Sequence, residues 1–366
     1  MLGLRHFLTS TTGCGGSIRQ ELEDFQVEEI LPYEFSGHGE YTVVKIEKRG
    51  LSTLEARSRI ARALGIHPQR VSYAGLKDTR AITTQYFSLH QVTREQALAL
   101  RAPGIAVKDA FTHHRKVKIG KLFANRFTIR IRKCDAAAGE AAFMELQASG
   151  VPNVIGWQRF GGREGTTHLL GEAIIKGSLQ DAVSLLLAPC PDAAACYQSG
   201  DTAGALQLLP SWALAQRTAL LALNAGTAPA QALRRIDKGT RWLYIAAFQS
   251  WLFNEILDRR MAVGLGVQEG DLMKTYYGLA TPSGLYPGRK TPLAGGIQGE
   301  IERDVLDAHQ LDQEAVPSDG KRRPLLFPMW DTSHESEGSD LVLHFTLPKG
   351  CFATAVLREV MKSDVV

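Results

Sequence analysis

The sequence predicts a two-domain protein of mixed α+β and α/β character, in which a second domain is inserted into a split first one. Three observations lead there. The 366 residues exceed what one compact domain usually holds. The first ~150 residues mix strand and helix patterns, and from about 151 the texture turns to alanine- and leucine-rich helices. After about 325 the strand-then-helix texture of the beginning returns.

Each element has a local reason. "EYTVVKIEKRG" alternates in part as a strand. "STLEARSRIARALGI" follows as a helix: Ser52 and Glu55 have capping-box spacing, Leu54, Ile60, Ala61 and Leu64 form an apolar stripe, and Gly65 stops it. "YAGLKDTRAITTQYFSL" reads as a β-run, a tight Gly-Leu-Lys-Asp turn and a second β-run. "NRFTIRIRK" is a further strand.

In the middle part, "TTHLLGEAIIKG" and "SLQDAVSLLLAP" each open on a hydroxyl placed to cap a helix and stop at Gly or Pro. The clearest helix is "TRWLYIAAFQSWLFNEILDRR", with Trp242, Ile245, Gln249, Leu252, Phe253 and Ile256 on one face. Gln249 is expected to be a hydrogen-bonded core amide. The loop "DQEAVPSDGKRRPL" is expected to be exposed. Near the end, "LVLHFTLPKG" sets Leu341, Leu343, Phe345 and Leu347 on one strand face, and "FATAVLREVMK" closes the chain as a helix.

Composition excludes several classes. The five cysteines are scattered without zinc or redox spacing, which fits reduced thiols in a cytoplasm. "MLGLRHFLTSTTGCGG" makes a poor signal peptide, and the longest apolar runs are too short to span a bilayer. No Rossmann, Walker A, nucleophile-elbow or zincin motif is found, and no metal site is expected.

Net charge is only +4, so the distribution of charge decides the partner. His113 to Lys133 holds Arg115, Lys116, Lys118, Lys121, Arg126, Arg130, Arg132 and Lys133 with no acidic residue. In "RFTIRIR" the arginines face away from Phe127, Ile129 and Ile131. A solvated sheet face would also alternate in this way. Eight like charges without relief instead favour contact with phosphates, and Arg115, Lys116, Lys118, Lys121 and Arg126 are the candidates for an RNA backbone. Phe127 has two readings, core residue or platform for a stacked base. Lys77-Asp78 also has two, a solvated turn or a catalytic carboxylate with a nearby cation.

Eight segments in order resemble the TruD family of tRNA pseudouridine-13 synthases. They are "EDFQVEEI", "GHGEYTVVKIEKRG", "YAGLKDTRAITTQYFS", "KIGKLFANRFTIRIR", "GVPNVIGWQRFG", "AAFQSWLFN", "RRPL" and "LPKGCFATAVLREV". The resemblance implies a pseudouridine synthase catalytic domain with a mixed, largely antiparallel sheet, residues 1–150 plus 326–366, split by an inserted α/β TRUD domain at 151–325. It implies an isomerase that converts uridine 13 in the D-arm region of tRNA, tRNA-Glu among its substrates, to pseudouridine. The N1–C1′ bond breaks, the uracil turns while held, and C5 joins C1′. It further implies tRNA as partner, no cofactor, no membrane and a monomeric cytoplasmic protein.

The family's nucleophile falls on Asp78, which either attacks C1′ or takes a proton from C2′ on a glycal route. Substrate-binding positions fall on Phe25, Asn125 and Phe352, the stacking aromatic falls on Phe127, and Arg19 and Lys77 are the cations expected near the substrate. Arg19 stands where the family commonly has Lys, and Val154 and Ile155 stand where two aromatics are usual. The reading from another class is a catalytically idle tRNA-binding protein or RNA chaperone on the same scaffold.

Overall fold

The computed structural model describes residues 4–162 and 165–363. They fall into two compact units. One comprises Thr9–Val151 with Phe327–Ser363, the other Pro152–Leu326 together with residues 4–8. The amino-terminal residues join the second unit because Arg5 N and His6 N donate to the Asp258 carboxylate, at 2.6 and 2.8 Å.

The first unit is built on one eight-stranded sheet. Its elements are β1 (Phe25–Ile30), β2 (Tyr41–Arg49), α1 (Thr53–Ala63), β3 (Val71–Tyr73), β4 (Ile82–His90), α2 (Arg94–Leu98), β5 (Ile105–His113), β6 (Ala124–Ile131) and α3 (Ala136–Ser149). The strands Trp330–Glu337 and Asp340–Pro348 and the helix Ala353–Met361 complete it. Across the sheet the order is Trp330–Glu337, Asp340–Pro348, β6, β1, β4, β2, β5, with β3 also paired to β4. Only β1 and β4 run parallel; every other neighbouring pair in this sheet is antiparallel.

The register places side chains in rows, because paired residues point to the same sheet face. One row runs Lys48, Thr83, Val27, Phe127, Phe345 across five strands. The next sets Glu29 beside Asn125 and Asn125 beside Leu347. At one end of this face Val44, Ile46, Phe87 and Leu89 pack under Ala56, Ile60 and Ala61 of α1. At the other end Phe345 packs against Phe127 and against Phe143 of α3, with ring centroids 5.4 and 5.9 Å apart. Polar residues therefore occupy the stretch of face between two apolar clusters.

Helix α1 starts as its sequence demands: Ser52 and Glu55 form a reciprocal capping box. The tight turn expected at Gly75–Asp78 does not form. Tyr73 pairs with Phe87, so the first residues of β4 are left to pair with β1 and β2, and residues 74–81 make a wide loop. Two expected caps are also absent. The helices Thr167–Lys176 and Leu179–Leu187 begin after Thr166 and Ser178, but neither hydroxyl accepts a capping bond.

The second unit is organised around the long helix Lys238–Val263. Gln249 on it is buried and donates to Pro287 O at 2.5 Å, a satisfied core amide. Helix Thr167–Lys176 crosses it closely at Gly171, where a Cβ would collide with the Tyr244 carbonyl. A three-stranded sheet of Met273–Tyr276, Leu279–Tyr286 and Lys321–Pro324 flanks the helices. The segment 312–325, expected to be exposed, instead buries Val316 and Leu325 and supplies the third strand. Val154 and Ile155 are both buried, so aliphatic side chains fill that packing site.

Candidate active site

The loop after β3 is held from three sides. Gln85 Nε2 donates to Gly75 O at 2.6 Å, and Lys77 N donates to Thr53 Oγ1 at 2.9 Å. Lys48, fully buried, donates from Nζ to Leu51 O at 2.5 Å and to Asp78 O at 3.0 Å. These bonds brace the loop that carries Asp78. The Asp78 side chain stays 29% exposed, enough for a ligand to reach.

Lys77 and Arg19 also stand at this loop, and they have different partners. Lys77 Nζ lies 2.9 Å from Glu29 Oε1, and both side chains are buried. The cation beside Asp78 is Arg19, with Nη2 3.5 Å from Oδ1. Arg19 has left-handed backbone (φ 59°), and its guanidinium lies 4.2 Å from the centre of the Phe25 ring. Burial pulls the Arg19 pKa down, the Asp78 carboxylate pulls it up, and nearby Arg80 lowers it. Lys48 is pushed down to about 8 by burial, with Asp78 opposing that shift and Lys77 adding to it.

Phe25 is buried and meets Phe127 edge-on, with centroids 6.2 Å apart. Phe127 is 6% exposed, so most of its ring serves the core between Phe25 and Phe345. Asn125 shares this face, opposite Glu29 and Leu347. Among the described residues, buried Asn125 Oδ1 and Thr83 Oγ1 have no hydrogen-bond partner. Open acceptors on a buried face mark where a polar ligand would complete the bonding. Phe352 is half-buried and opens the helix Ala353–Met361, just beyond the strand whose Leu347 pairs with Asn125.

The basic tract splits in two. On its strand the expected lack of relief is corrected: Arg126 pairs with Glu28 and Asp331 at 3.4 and 3.6 Å. Arg130 pairs with Glu337 and Asp340, and Arg132 with Asp24. On the loop before it, Arg115, Lys116, Lys118 and Lys121 are exposed, and among the described residues none has an ion-pair partner. That loop touches the Asp78 loop, since Gly120 N donates to Ala74 O at 2.7 Å.

Sequence reading missed Lys48, Glu29, Thr83 and Gln85. A signal was present for two of them. In "YTVVKIEKR" Lys48 falls in phase with Val44 and Ile46, and in "FQVEEI" Glu29 falls in phase with Phe25 and Val27. A charge on the apolar phase of a strand is buried, and a buried charge needs a partner.

The family model for tRNA pseudouridine synthase D (TruD) matches residues 1–278 and 273–360. The chain belongs to the TruD family. A tRNA pseudouridine synthase D from Geobacter sp. strain M21 is 37% identical, across 96% of this chain and 98% of the relative. One from Geobacter metallireducens is 36% identical across 99% of each. The crystal structure of a Methanosarcina mazei protein assigned to tRNA pseudouridine synthase D superposes with a TM-score of 0.86 at 29% identity, covering 99% of this chain and 97% of that one. The TruD fold therefore extends over both units. Among the described residues no helix is long and apolar enough to cross a membrane.

Proposed function

We propose that the protein isomerises uridine 13 of tRNA, tRNA-Glu among its substrates, to pseudouridine, with Asp78 as the catalytic carboxylate. The observation that carries the chemistry is a reachable Asp78 carboxylate on a braced loop, 3.5 Å from Arg19 and near a face with open acceptors at Asn125 and Thr83. Family membership supports tRNA as substrate, and position 13 follows from the motif resemblance.

The uridine must leave its stack to meet this loop. The Asp78 carboxylate attacks C1′ as the N1–C1′ bond breaks and the uracil departs with the bonding pair. The base turns, C5 attacks C1′ and displaces the carboxylate, and C5 loses its proton. On the glycal route the same carboxylate instead takes the C2′ proton, so either route needs Asp78 ionised. Arg19 supplies the counter-charge. Asn125 offers an amide to the uracil edge, and Phe352 and the exposed edge of Phe127 flank the base. The exposed cations at 115–121 hold phosphates.

The test is an unmodified tRNA transcript incubated with pure protein, with pseudouridine mapped by carbodiimide-blocked primer extension. Wild type should modify uridine 13, and Asp78→Asn should give no product above background. Equal product from both proteins would sink the assignment of Asp78. RNA binding without product from wild type would favour an idle binding protein.

A further inference from the structure

Lys77 stands directly before Asp78, yet the two side chains go different ways. The Asp78 side chain is 29% exposed, whereas that of Lys77 is 7% exposed and has little surface to offer a substrate. Its Nζ lies 2.9 Å from Glu29 Oε1, and the Glu29 side chain is fully buried. Glu29 sits on β1, opposite Asn125 of β6, and its Oε2 accepts from Tyr86 N of β4 at 3.2 Å. One carboxylate thus joins the centre of the sheet to the loop.

Stability alone is a weak reason for such a pair. Burial strips both charges of hydration, their attraction does little more than offset that loss, and apolar residues of similar volume often stabilise a fold as well or better. Arg358–Glu359 in the same unit is as deeply buried, but it joins neighbours within one helix. Lys77–Glu29 instead ties the Asp78 loop to a strand distant in sequence.

The pair fixes the direction of Asp78. Lys77 N donates to Thr53 Oγ1 at 2.9 Å, and Asp78 O accepts from Lys48 Nζ at 3.0 Å, so both ends of this dipeptide are held. Two held ends leave the dipeptide free to turn about the line that joins them. The buried Lys77 side chain adds a third point off that line. The Asp78 Cβ then cannot swing without pulling an ammonium away from its carboxylate, which costs far more when both are buried.

We propose that Glu29 and Lys77 are a positioning pair for the reaction: anchored in the sheet, they aim the Asp78 carboxylate without touching the substrate. The proposal rests on the reading of Asp78 as the catalytic carboxylate.

The test uses the full-length protein and the variant Glu29→Asp, which keeps the charge balance and shortens the reach by one methylene. Its melting temperature should stay within a few degrees of wild type. On unmodified tRNA, kcat should fall about 10- to 100-fold, as misplacement of a reacting group predicts. KM should stay within about two-fold, since no substrate contact is lost. Without RNA, amide hydrogen exchange in the loop 74–81 should quicken about 10-fold or more. A second comparison does not depend on Glu29→Asp. Lys77→Met leaves Glu29 unpaired and should lower the melting temperature, and Glu29→Gln/Lys77→Met, which removes both charges, should recover stability but not kcat.

If wild type makes pseudouridine and Glu29→Asp keeps its kcat, or the double variant regains it, the positioning role is refuted and the reading of Asp78 stands. A loss confined to KM would make Lys77 a substrate contact and overturn the proposal as well. If wild type makes no pseudouridine while loop exchange still quickens in Glu29→Asp, the pair does hold the loop and the enzyme reading fails.

Discussion

Arg19 Nη2 stands 3.5 Å from Asp78 Oδ1, and the same guanidinium covers Phe25. One planar cation thus pairs with the proposed catalytic carboxylate and packs on an aromatic ring. A lysine could supply the charge but not the flat contact. Arg19→Ala should lower kcat/KM by roughly 100-fold, since it removes a partly desolvated charge partner and a cation–π contact together. Arg19→Lys should cost about 10-fold or less, because only the stacking is lost. Single-turnover assays on unmodified tRNA measure both. Wild-type rates in Arg19→Ala would show that Asp78 does not need the Arg19 charge.

Lys48 should set an alkaline limit on the proposed reaction. Its ammonium holds the Asp78 carbonyl at 3.0 Å, and burial pushes its pKa down to about 8. As pH rises through 8 the ammonium loses its charge, and the hold on the loop weakens. The rate should therefore fall above pH 8 in wild type, whereas the slower residual rate of Lys48→Met should stay flat there. The stability effect has the opposite sign. Between about 8 and 10.5 the unfolded chain binds the proton that the folded chain has lost, so Lys48 makes folding more favourable as pH rises across that window. Rate and melting temperature moving the same way with pH would refute this role.

Period-two and capping patterns within a strand or helix are legible in the sequence, whereas pairings between distant segments are not. The alternation of Arg126, Phe127, Arg130 and Ile131 is a period-two pattern, and the strand obeys it. The capping box joins Ser52 and Glu55, three positions apart, and it forms. The loop at Gly75–Asp78 looked like a tight turn because its residues favour one, but the Tyr73–Phe87 register overrode that preference. Asp78 stands out as a candidate carboxylate through its motif. Its partner does not, since Lys77 is adjacent in sequence yet turned to Glu29. Relief of the strand arginines was equally hidden, as Asp331, Glu337 and Asp340 arrive from the far end of the chain.

Of the three phenylalanines expected at the substrate, Phe127 and Phe352 should respond differently. Phe127 is 6% exposed and wedged between Phe25 and Phe345, so Phe127→Ala should destabilise the protein by about 3–5 kcal/mol. Phe352 is half-buried at a helix start, and Phe352→Ala should leave the melting temperature within a few degrees while raising KM. Denaturant melts and steady-state kinetics on both variants separate the roles. A stable, catalytically dead Phe127→Ala would mean that its exposed edge matters more than its packing.

The split of the basic tract separates the cations proposed to bind RNA from those already neutralised. Counterion release depends on charges that are free to meet phosphate, and a cation already neutralised by a carboxylate contributes little. Arg115, Lys116, Lys118 and Lys121 are exposed without ion-pair partners among the described residues, whereas Arg126 sits between Glu28 and Asp331. Replacing the four loop cations with Gln should reduce the salt slope of tRNA binding by about 3 and weaken affinity strongly at physiological salt. Arg126→Gln should change the slope by less than about 0.5, because its charge is already matched by Glu28 and Asp331. The loop touches the Asp78 loop through Gly120 and Ala74, so the quadruple variant should also lose catalysis on tRNA. High enzyme concentration should restore much of that loss if the cations only hold the backbone. Failure of saturation to restore turnover would place them in the chemical step instead.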